Sequence, residues 1–74
     1  MDERELKEKL LQENKDFKEV YKLHQQCERE LEKLRNKSYY TDEDKLNEQQ
    51  LKKRKLILKD RMYLLMSKFR ESLP

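Results

Sequence analysis

The chain has no glycine, no alanine and no tryptophan, and its one proline, Pro74, is the last residue. Without glycine it lacks the residue that lets a loop close around phosphate, which excludes the glycine-rich nucleotide motifs. The single cysteine, Cys27, excludes an internal disulfide framework and suits a reducing compartment. No unbroken apolar run is longer than Met62 to Met66, far short of a membrane span. The opening MDERELKEKLLQE is too charged for a secretory leader. A cytoplasmic chain without membrane insertion is therefore expected. With 74 residues there is no room for a substrate cleft above a core, so one small domain without enzymatic activity or a cofactor is expected.

What the chain does have is charge: 47% of its residues are charged, yet 19 basic and 16 acidic side chains leave a net +3. So small a surplus gives no mandate for nucleic acid, which calls for a concentrated basic face. Leu, Glu, Lys, Gln and Arg dominate, all good helix formers. Such a composition borders on disorder, and periodicity decides for helix.

The longest apolar stripe is Leu51, Leu58, Met62, Leu65 and Phe69, whose steps of seven, four, three and four keep one helix face. The first half carries a matching seam at Phe17, Val20, His24, Cys27, Leu31 and Leu34, alternating three and four as in a coiled coil. Asn14, a preferred N-cap followed by Asp16, predicts a break upstream of that seam. Between the stripes, Thr41 and Asp44 stand at capping-box spacing, with Asp42 and Glu43 also suited to a first turn.

These signals predict an all-α, antiparallel two-helix hairpin of coiled-coil type with an N-terminal helical extension. The extension covers 1–13, the first hairpin helix 14–37, the loop 38–41 and the second helix 42–71, with Pro74 beyond its end. In that hairpin Leu34 meets Leu51, Cys27 meets Leu58, Val20 meets Leu65, His24 meets Met62 and Phe17 meets Phe69. The residue numbers of all five pairs add to the same total within one. Lys55 falls opposite Leu31 and can lay its stem over it. Tyr39 and Tyr40 are expected to close the loop end over Leu34 and Leu46.

Three constellations bear on function. His24, Cys27 and Glu28 share a helix face at metal-ligand spacing. A structural zinc needs four ligands, however, and both His24 and Cys27 fall on the packing seam, so they read as a partly buried imidazole and a buried thiol. The basic run Lys52, Lys53, Arg54, Lys55, Lys59 and Arg61 encloses one acid, Asp60, and is a candidate polyanion contact. Glu28, Glu30 and Glu32 lie opposite it, which favours a cross-helix-paired surface instead. Leu56, Ile57, Tyr63 and Leu64 fall outside the main stripe and form a candidate interaction surface. Leu6, Leu10 and Leu11 fold back over part of it if the chain turns at Asn14. A straight helix leaves the patch to a second molecule, and the balance favours a weak homodimer.

The order of features then becomes informative. Glu13-Asn14, Asp16-Phe17, His24, the run Cys27-Glu28-x-Glu30-Leu31 and above all Leu51-Lys52-Lys53-x-Lys55-Leu56-x-Leu58-Lys59-Asp60 resemble the YdcH-like family of small bacterial proteins of unknown function. The resemblance covers about residues 10 to 70. It implies a cytoplasmic helical hairpin with no established activity and no catalytic residues. Many members have a proline just after the asparagine, where this chain has Lys15. From the residues, the expected role is a non-enzymatic protein–protein interaction or scaffold module acting through helix faces. Its partner is an unknown protein or a second copy. The alternative, a nucleic-acid or anionic-surface binder using 52–61, ranks below it.

Overall fold

A computed structural model describes residues 2–72, so Pro74 lies outside the described residues. Those residues form three α-helices: α1 (Glu3–Glu13), α2 (Lys15–Arg35) and α3 (Asp42–Ser72). The Asp2 carboxylate accepts the Glu5 N–H at 2.8 Å and so opens α1. Only Asn14 separates α1 from α2. Its extended backbone, at φ −114° and ψ 111°, turns the chain. Its N–H donates to the Leu10 carbonyl at 2.8 Å, closing α1, and its Oδ1 accepts the Phe17 N–H at 3.0 Å, capping α2. One residue ends one helix and starts the next.

The break expected at Asn14 is thus present, and the N-terminal helical extension follows the fold-back course left open by the sequence. α1 packs back on α2 and α3, and Leu6, Leu10 and Phe17 are each 0% exposed. The segment is a third helix of the core. Its packing follows from apolar area: each Leu so buried contributes about 1.5–3 kcal/mol. Leu11 and Tyr21 lie half-buried against the same cluster, and the Phe17 and Tyr21 rings stack at 6.5 Å.

α2 ends at Asn36, whose N–H donates to the Glu32 carbonyl at 3.1 Å, without any positive φ among the described residues. The loop is then closed from both ends. The Asp44 N–H donates to Thr41 Oγ1 at 3.1 Å and the Thr41 N–H to Asp44 Oδ2 at 3.0 Å, a reciprocal capping box. The other oxygen, Oδ1, accepts Lys37 Nζ at 2.8 Å. The Lys37 ammonium, then the Thr41 backbone N–H, hold the Asp44 carboxyl below its usual range.

α2 and α3 run antiparallel. Lys37 meets Asp44 at the turn, Glu28 meets Lys55 at 3.2 Å further along, and His24 lines a cavity with Met62 beyond that. Val20, Cys27, Leu31 and Leu34 bury against Leu51, Leu58, Met62 and Met66. Met66 stands where the sequence stripe placed Leu65, while Leu65 and Phe69 are only half-buried. A straight helix drifts about 20° per seven residues from a strict heptad seam. The drift, with α1 packed alongside, turns Met66 inward. Phe69 instead carries the Lys9 ammonium over its ring, 5.9 Å from the centroid.

The Asn14 joint yields an opposed pair of outcomes. Asn14→Ala removes the cap and should lower stability by about 1 kcal/mol. Lys15→Pro should raise it by about 0.4–1 kcal/mol, because Lys15 is the first residue of α2 and Asn14 already has the extended backbone that precedes proline. Thermal melts of both variants check this; a lower melting temperature for Lys15→Pro would contradict the joint described here.

Candidate interaction surface

α3 presents one face to the core and leaves the other uncovered. Leu56, Ile57, Tyr63 and Leu64 are 62%, 67%, 47% and 55% exposed. Helical geometry, about 100° per residue, sets Ile57 and Leu64 in one row and Leu56 and Tyr63 in the row beside it. Asp60 stands three residues from Ile57 and Tyr63 and four from Leu56 and Leu64, hence in the middle of the four. Towards the loop, Leu46 and Leu56 border a shallow groove with Gln49, Gln50, Lys52 and Lys53. The folded-back α1 meets this face only at its edge, beside Tyr63. Lys7 shares a cavity with His24, Lys59, Met62, Tyr63 and Met66, at the edge between core and outer face.

The basic run does not lie apart from the apolar patch. At 100° per residue, Arg54, Arg61 and Lys68 form a row along one margin of the patch, and Lys52 and Lys59 form a row along the other. The expected neutralisation by α2 is small. Lys55 pairs with Glu28, and Lys52 pairs within α3 with Glu48 at 3.1 Å. Lys53, Arg54, Lys59 and Arg61 enter no ion pair among the described residues. Glu30 and Glu32, both exposed, form no ion pair with the run among the described residues. Lys55 is half-buried beside Leu31, Glu32 and Arg35, as its stem requires.

Two tyrosines depart from expectation. Tyr39 is 79% exposed, and Tyr40 does not close over Leu34 and Leu46. Its hydroxyl donates to Glu48 instead, and that bond pushes the phenol up to about 12. The carboxylate offers the hydroxyl a charged acceptor that an apolar cap lacks, and Leu46 is left turned outward, exposed.

Among the described residues no three His, Cys, Asp or Glu side chains come together where they could hold a metal. Cys27 is buried in the seam, and His24 is half-buried with an inner Nε2 that has no hydrogen-bond partner. No helix among the described residues is long and apolar enough to cross a membrane.

The model of a family described as "Protein of unknown function (DUF465)" matches residues 17–66. The chain belongs to this family. YdcH-like small bacterial proteins of unknown function are among its members. Comparison with curated proteins gives no match, nor does comparison with solved structures. The matched segment runs through α2 and most of α3, including the whole patch from Leu56 to Leu64, and leaves α1 outside it.

The imidazole gives a pH test of this packing. Burial lowers the pKa of His24 from 6.5; Glu28 on α2 opposes that shift, while Lys55 and Lys59 on α3 and Lys7 on α1 add to it. A depressed folded value means the native state favours neutral His24. The stability so gained is full above the unfolded value and is lost as pH falls through the folded one. Since His24 is the only histidine, its ring-proton resonances in NMR need no assignment among several and should titrate below pH 6.5. A midpoint above that value would show that the ring is not packed as described.

Proposed function

We propose that the chain is a non-enzymatic protein–protein interaction module whose contact surface is the outer face of α3. α2 and α3 act in it as a hairpin of coiled-coil type, which α1 braces. The observation that carries this reading is the quartet Leu56, Ile57, Tyr63 and Leu64, contiguous on one helix and about half or more exposed. Scattered apolar residues on a surface are ordinary, whereas a contiguous patch marks a contact. The non-catalytic reading draws on Cys27, whose thiol is spent on packing. A lone buried thiol suits a reducing compartment, which supports our reading of the module as cytoplasmic.

The test is a paired substitution. Ile57→Lys with Leu64→Lys should leave helicity and melting temperature nearly unchanged, because neither side chain is in the core, and should abolish partner retention on an affinity matrix. A partner held equally by wild type and variant would remove this face from the function.

A second reading, polyanion binding, is favoured by Lys53, Arg54, Lys59 and Arg61, which enter no ion pair among the described residues. Phosphate contacts release counterions, so such binding falls steeply with salt, whereas apolar pairing does not. Changing Lys52, Lys53 and Arg54 together to Gln should leave the fold intact and, on this reading alone, abolish retention on heparin. Absence of wild-type retention even at low salt would eliminate it.

A further inference from the structure

We infer that the outer face of α3 receives an amphipathic helix of another protein, acidic along both margins and carrying a single basic residue in the middle of its apolar face. The inference rests on the proposed function and names the chemistry of its partner. Three observations carry it. The apolar quartet is two rows wide, and each row repeats at seven residues, the period of a helix packed lengthwise. The cations repeat likewise on both margins: Arg54, Arg61 and Lys68 on one, Lys52 and Lys59 on the other. Steps of seven place them about 10.5 Å apart along the axis, which acidic residues at the same interval on a facing helix would meet. Finally, Asp60 stands at the centre of the quartet with no ion-pair partner among the described residues. Covered by apolar side chains alone it would be a buried unpaired carboxylate, so the covering helix supplies a cation there.

The same charges argue against a second copy. From Lys52 to Arg70 the chain has eight basic residues and one acid. An antiparallel copy would set Lys53 against Asp60, but it would also set Arg54 against Arg61 and Lys52 against Lys59 on the two margins. Each like-charge contact occurs twice by symmetry. An anionic lipid surface would satisfy the margins and yet bury Asp60 in the interfacial layer without a cation fixed above it.

The test uses the full chain and a synthetic helical peptide of three heptads, with Leu on its apolar rows, Glu on both margins and one Lys at the centre. A second peptide carries Lys on the margins and Glu at the centre. Titration followed by amide NMR should show the first peptide shifting Ile57, Asp60 and Leu64, and the second not. Arg54→Glu with Arg61→Glu should weaken the first peptide tenfold or more. Neither peptide binding to wild type, or the first binding the charge-reversed chain equally well, overturns the inference. If sedimentation at tens of micromolar shows a dimer, or phosphatidylglycerol vesicles shift the same residues while the peptide does not, the inference falls and the outer face stands as a contact surface. If the Ile57→Lys, Leu64→Lys variant binds the peptide as wild type does, the proposed surface falls as well.

Discussion

The double use of Asn14 is the constraint on which the three-helix arrangement depends. A helix end leaves backbone groups without partners, and two helices meeting at one residue leave two such sets. Asn14 meets part of both demands: its own N–H closes α1 on Leu10, and its side chain opens α2 on Phe17. Leu10 and Phe17 are themselves fully buried, so the hydrogen bonds of the joint are anchored by side chains in the core. A loop of several residues would allow α1 many orientations. A single extended residue allows few, and the one adopted places Leu6 and Leu10 in the core.

α3 faces a different constraint, because it carries apolar residues on two opposite sides. Leu51, Leu58, Met62 and Met66 are buried; Leu46, Leu56, Ile57, Tyr63 and Leu64 are not. A helix apolar all round is ordinarily enclosed by neighbours. Here two neighbours, α1 and α2, lie on one side, and the charges are distributed accordingly. Lys55, at the boundary with α2, is paired with Glu28, whereas Arg54, Lys59, Arg61 and Lys68, on the margins of the outer patch, enter no ion pair among the described residues.

Much of this was legible from the sequence because it is local. Asn14, Thr41 and Asp44 act through hydrogen bonds to residues three positions away, and such spacings are visible without a fold. The seam from Phe17 to Leu34 was legible too, being a single unbroken period. Met66 was not. It adjoins Leu65 in the chain, and only the drift of a straight helix together with the position of α1 decides which of the two turns inward. The fate of α1 was open for a related reason: Leu6 and Leu10 would look the same on a free extension. Tyr40 was misjudged because a loop tyrosine next to apolar residues suggests packing, while the carboxylate that draws its hydroxyl, Glu48, lies a full helical turn into α3. The patch and the basic run appeared as two rival sites in one dimension, since consecutive residues alternate between them; on the helix they are one surface.

The joint and the surface are connected through the far half of α3. A hairpin of two helices stapled only at its loop, by Lys37, Thr41 and Asp44, would be least secure where it opens away from the loop. That is where Tyr63 and Leu64 lie. α1 returns to this region: Lys7 shares a cavity with Met62, Tyr63 and Met66, and Lys9 covers Phe69. A contact surface on a frayed helix would lose binding energy to the ordering of each residue. By folding back, α1 holds the inner side of that stretch in place while leaving its outer side open. Bracing, rather than covering, is what its position achieves. The helix outside the family-matched segment thus braces the stretch of α3 that carries the exposed patch inside it.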